Sequence, residues 1–151
     1  MKASEAGFII SLVLLATLFF VSTLIQNVNV ARDYIEKIDT GEYEISMEIL
    51  EPKGQRKGTV LLIHGIIATK KMLKPMATDL VRYGWRVILV DQVGHGETGG
   101  YYRLSFEDLE KPGVALSKII NESSKFRESI EWYLKNKLNK AEKVVFGGHS
   151  L

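Results

Sequence analysis

Three short apolar runs decide most of what this chain can become. Residues 59–63 (TVLLI), 86–90 (RVILV) and 143–146 (KVVF) each have the length of one strand and carry charge only at their first residue, if at all. Continuous rather than alternating apolar character fits strands buried on both faces. Between the first two runs, Met72, Leu73, Met76, Leu80 and Val81 recur at helical spacing, and Gly84 supplies a left-handed stop. Before the third, Leu116, Ile119, Ile120, Ile130, Tyr133, Leu134 and Leu138 mark a long amphipathic helix. Pro112 sits near its start, where a missing N–H costs nothing. Strand, helix, strand, helix, strand predicts an α/β domain with a mostly parallel sheet and flanking helices.

Upstream the pattern changes. Tyr43, Ile45, Met47 and Ile49 alternate with Glu42, Glu44, Ser46 and Glu48, which predicts a strand with one wet face, at an antiparallel edge or in a hairpin. Residues 26–41 are largely polar and end in Asp39, Thr40 and Gly41, so 27–41 reads as a linker. Residues 7–25 (GFIISLVLLATLFFVSTLI) hold no charge. As a helix they would reach about 28 Å, close to the hydrocarbon thickness of a bilayer. A transmembrane anchor over 1–26 is therefore expected, with a membrane localisation. A signal peptide fits less well, since its apolar core is shorter and the nearest small-residue site, at Asn29, Val30 and Ala31, is poor. Lys2 and the α-amine favour an inside N-terminus, but Arg32 and Lys37 oppose them and leave the side open.

Composition narrows the function classes. A net charge of +2 in 151 residues gives no electrostatic footprint for nucleic acid, so no nucleic-acid partner is expected. The absence of cysteine excludes disulfide staples and thiolate metal sites.

In a parallel sheet, chemistry collects at the carboxyl ends of the strands. The first apolar run ends in His64, Gly65 and Ile66, and the second in DQVGHGET, from Asp91 to Thr98. The third ends in Gly147, Gly148, His149, Ser150 and Leu151, four positions of a G-x-S-x-G turn. That turn needs small residues because its serine sits on a strained strand-to-helix corner, where bulk two positions away meets backbone. The corner lifts the hydroxyl above the sheet and lets the next N–H face an oxyanion. A plain strand-to-helix turn with a capping serine would look similar.

Taken together, HGI, DxxGHGxT and GGHSL in this order resemble the α/β-hydrolase family, closest to its monoglyceride-lipase and serine-aminopeptidase branches. The resemblance covers residues 42–151 and implies the N-terminal part of that fold, an incomplete domain cut just after its nucleophile. It implies Ser150 as catalytic nucleophile and the backbone N–H groups of Ile66 and Leu151 as the oxyanion hole. His64, Gly65, Asp91, Gly94, His95, Gly96, Gly148 and His149 then support those motifs. Thr98 stands where serine is more usual. The implied activity is cleavage of carboxylic esters, with a small ester or lipid-like substrate, through an acyl-enzyme and without a cofactor or metal. A thioesterase or aminopeptidase on the same fold, or a membrane-tethered binding protein without catalysis, are the alternatives. The family's acid and histidine follow the serine, so these 151 residues alone are expected to be inactive.

Two rival readings fail on context. Gly94, Gly96 and Gly99 match a dinucleotide-binding G-x-G-x-x-G, yet Tyr101, Tyr102 and Arg103 follow in place of a clear helix start. His64, His95 and His149 all lie at strand ends, but each is better explained by its turn than by a metal.

Overall fold

The computed structural model describes residues 3–27, 30–65, 68–100, 107 and 110–148, with side chains of the first helix described over 7–22. Helix α1 (Ala3–Asn27) is followed by strands β1 (Val30–Asp39), β2 (Glu44–Pro52) and β3 (Thr59–Ile63). A 3-10 turn (Lys70–Leu73) leads into α2 (Lys74–Arg82), then β4 (Arg86–Val90), α3 (Pro112–Lys137) and β5 (Val144–Gly148). The five strands form one sheet in the order β1-β2-β4-β3-β5.

The sheet is mixed, not mostly parallel. β1 pairs antiparallel with β2, and β2 antiparallel with β4. Only β4, β3 and β5 run parallel, β3 lying between the other two. The long β1–β2 ladder, which matches Val30 to Pro52 at one end and Asp39 to Glu44 at the other, makes the paired length more antiparallel than parallel. A four-residue turn closes that hairpin: Thr40 N–H donates to Tyr43 O at 3.0 Å, and Gly41 N–H to Asp39 Oδ1 at 2.8 Å. Residues 30–39 are thus a paired strand where a linker was expected. The polar run hides a strand because β1 is an edge that buries one apolar residue, Ile38.

The membrane anchor expected at 1–26 is not retained. Among the described residues no helix is long and apolar enough to cross a membrane. The membrane partner and membrane localisation inferred from that anchor go with it. Within α1, Thr17 Oγ1 donates back to Val13 O at 2.8 Å, as a hydroxyl in an apolar helix should.

Alternation along the strands sorts the core onto two faces. Ile45, Met47 and Ile49 of β2, Leu61 of β3, and Ile88 and Val90 of β4 pack under α3, against Ile130 and Tyr133. Val60, Leu62, Val87 and Leu89 face the other way, against Ala77 and Val81 of α2. Met72 and Met76 of the expected apolar stripe point to solvent, while Gly84 does stop the helix at φ +87°. Of the β2 positions expected to be wet, Glu44 is exposed, but Ser46 and Glu48 are buried on the α2 face, where Lys70 and Lys74 meet them. β5 is an edge of the described sheet and leaves Phe146 exposed.

Tyr133 ties α3 to the hairpin. Its ring is buried and its hydroxyl donates to Glu36 Oε2 at 2.7 Å. Burial first, then that bond and the Glu36 charge, push the phenol pKa up. Tyr133→Phe keeps the ring packing and loses the bond, so it is expected to cost about 1–2 kcal/mol in urea unfolding. Unchanged stability would show that Glu36 finds equivalent partners in water.

Candidate active site

The strand order places the site before any side chain is considered. The chain runs from β3 to β4 through α2 on one face, then to β5, on the other side of β3, through α3 on the opposite face. β3 is therefore the point where strand order reverses, and in open α/β sheets ligands bind beyond the carboxyl ends of the strands at such a point. Ile63 and Gly148 are in register there, as are Ile63 and Val90, so all three parallel strands end together. A Cβ on Gly147 would lie 2.7 Å from Leu62 Cδ2, so a larger residue there would have to displace the end of that side chain.

Of the residues expected at the site, His64 and Gly65 leave β3, Asp91 leaves β4, and Gly148 ends β5. Ile66, His149, Ser150 and Leu151 lie outside the described residues. His64 is fully buried, its Nε2 accepting the Gln92 N–H at 3.0 Å and its Nδ1 lying 2.7 Å from Gly65 O. Those partners assign the neutral Nδ1–H tautomer. Gln92 Nε2 also donates to His64 O, so one glutamine holds the strand-end histidine by backbone and ring. His95 Nδ1 lies 2.9 Å from Val93 O, and its ring is tilted against that of His64 at 5.4 Å between centroids.

Asp91 is the centre of the turn that follows β4. Its Oδ1 accepts Lys70 N–H at 2.7 Å, and its Oδ2 accepts Lys70 Nζ at 2.6 Å and Glu97 N–H at 2.9 Å. The glycines exist to let this happen. Gly94 and Gly96 take φ of +71° and +55°, and a Cβ on Gly96 would overlap the Asp91 carboxylate. Gly94 N–H returns to Gly99 O at 3.2 Å, so the G-x-G-x-x-G closes on an internal carboxylate where a dinucleotide loop would hold phosphate. Thr98 Oγ1 accepts Ser46 N–H at 2.8 Å and donates to Asp91 O at 2.9 Å. Both roles need only a hydroxyl, which explains why threonine serves where serine is usual.

Sequence reading missed three members of this network: Lys70, Glu97 and Ser46. Lys70 Nζ reaches Glu97 Oε2 at 2.9 Å and Ser46 Oγ at 2.8 Å while almost fully buried. Burial works against its ammonium, but the hydrogen bonds and charges of Asp91 and Glu97 outweigh it and raise its pKa. In return the Lys70 hydrogen bond, its charge and the Ser46 hydroxyl lower the pKa of Glu97. A lysine beside another lysine at a helix start gives no sequence signal of burial.

A mixed sheet with helices on both faces, a switch point at β3 and glycine-rich turns at its strand ends define a domain of the α/β-hydrolase superfamily. A model of the family described as serine aminopeptidase, S33, matches residues 54–147, more than half of the chain, and the chain belongs to that family. Nothing distinguishes the monoglyceride-lipase branch expected beside it. No curated protein matches the sequence significantly. Among solved structures, the thioesterase domain from the curacin biosynthetic pathway is similar at 20% identity and TM-score 0.55, over 78% of this chain and 36% of that one. The Cif epoxide hydrolase from Acinetobacter nosocomialis follows at 19% and 0.51, over 83% of this chain and 33% of that one. A Pyrococcus furiosus esterase matches at 18% and 0.51, over 78% and 40%. At such identities these structures speak for the fold alone. The chain spans only about a third to two fifths of their length.

Proposed function

We propose that the protein is a serine hydrolase of carboxylic esters in which Ser150 is the nucleophile. The observation that carries this reading is the switch point itself. Gly148 closes β5 in register with Ile63, and Ser150 follows two residues later in a G-x-S sequence. The Ser150 hydroxyl attacks the ester carbonyl, and the N–H groups of Ile66 and Leu151 take the oxyanion. Collapse expels the alcohol and leaves an acyl-serine, which water then hydrolyses. In this family's chain order the base is a histidine after the serine. His64 is unsuited to that role, because both of its ring nitrogens are engaged in holding strand ends.

The family's own description names an aminopeptidase, which makes amide cleavage by the same acyl-enzyme route the second reading. Aryl esters against aminoacyl anilides separate the two.

A fluorophosphonate probe added to the full-length protein is expected to form one covalent adduct, on the peptide that carries Ser150. No adduct, or an adduct on another residue, would sink the reading.

A further inference from the structure

Lys70 is a buried cation that the hydrolytic chemistry does not use. Its side chain is 1% exposed, and its ammonium donates to Asp91 Oδ2 at 2.6 Å, Ser46 Oγ at 2.8 Å and Glu97 Oε2 at 2.9 Å. Its own backbone N–H grips the other oxygen of Asp91, at 2.7 Å. Gln92, next in the chain to Asp91, donates its N–H to His64 Nε2 at 3.0 Å and its side-chain amide to His64 O at the end of β3. The turn leaving β4 therefore holds both described flanks of the segment leaving β3, at Lys70 through Asp91 and at His64 through Gln92. Ala68 N–H donates to Gly65 O at 3.1 Å, which shortens that segment further, so a shift at Lys70 is passed towards Gly65.

We propose that Lys70 is a positioning residue: clamped on Asp91, Ser46 and Glu97, it locks the segment leaving β3 onto the turn leaving β4 and so sets the geometry of the hydrolytic site. Two arguments favour geometry over charge. Asp91 and Glu97 are balanced by Lys70 and the neighbouring Lys71, so little net charge is left to act on a reacting group. A packed apolar side chain could hold the segment down without the desolvation cost of a buried lysine. What the lysine adds is three directional bonds, one to Ser46 of β2 and two into the turn after β4.

This inference rests on the hydrolytic reading above, and its test separates the two. In the full-length protein, Lys70→Met is expected to lower kcat for an aryl ester by about 10–100-fold, the scale of a small misplacement of reacting groups. KM should stay within about threefold, and fluorophosphonate labelling should slow in parallel with kcat. Because Lys70→Met leaves Asp91 buried without its cation, a second variant, Lys70→Met with Asp91→Asn, removes both opposed charges. It should recover stability while kcat stays low. Wild-type kcat in either folded variant would overturn the proposal and leave Lys70 a purely structural residue. Failure of the unsubstituted protein to label at Ser150 would instead sink the hydrolytic reading, and this inference with it.

Discussion

Ser150→Ala in the full-length protein is expected to lower turnover of short-chain aryl esters by at least about 10⁴-fold while leaving the fold intact. The size follows from what the hydroxyl supplies. Removing a nucleophile abolishes the covalent step, and the remaining oxyanion donors recover only a small part of the rate. The fold should survive because a G-x-S-x-G turn calls for small residues, of which alanine is one, and Ser150 comes after β5 in the chain. Circular dichroism and the unfolding midpoint should therefore match the unsubstituted protein. KM, where measurable, should move little, since the hydroxyl contributes mainly to the transition state. A fall of less than about tenfold would place the nucleophile elsewhere.

Where the three parallel strands end was legible because it follows from topology. The three apolar runs that decide the parallel part of the sheet are sequence-local, and their glycine-rich ends mark where the chain turns out of it. Asp91, Gly94 and Gly96 were readable for the same reason. Two turn glycines at positive φ, with a carboxylate filling the space they leave, form a short-range constellation. Lys70 was not readable. Its burial depends on Ser46, 24 positions away on β2, and on Asp91, 21 positions away, both brought to it only by the finished sheet.

The misreadings at the N-terminal side share one physical cause. Periodicity reports which face meets water only when the other face meets an apolar core. β1 buries a single side chain, so its charges read as a linker. β2 faces cations on its polar side, so Ser46 and Glu48 read as wet although they are buried. Glu48 Oε1 accepts Lys74 Nζ at 2.5 Å, and Asp33 Oδ2 of β1 accepts the same ammonium at 2.8 Å. A buried face made of ion pairs looks to a hydrophobicity pattern like a face in water. β2 was expected at an antiparallel edge or in a hairpin, but its partner β1 went unrecognised because it buries one side chain and joins this polar seam.

Asp91→Ala tests how much of the fold rests on that polar organisation, and it is expected to be the most destabilising substitution at the site. The alanine removes the acceptor of three donors at once: the Lys70 ammonium and the backbone N–H groups of Lys70 and Glu97. Breaking a buried ion pair from one side costs about 3–5 kcal/mol, because the surviving charge stays buried without its partner. Two features place this case towards the lower end. Glu97 still accepts from Lys70 at 2.9 Å, and its side chain is 46% exposed, so the remaining pair can draw in water. Asp91→Asn should cost less, since an amide oxygen can still accept one of the three donors. Urea unfolding of the full-length protein gives the magnitudes, and a cycle with Lys70→Met assigns them. If the orphaned cation dominates, adding Lys70→Met to Asp91→Ala should restore part of the lost stability. If the two losses simply add, the cost lies in the backbone donors of the turn, and the ion pair contributes little to the fold.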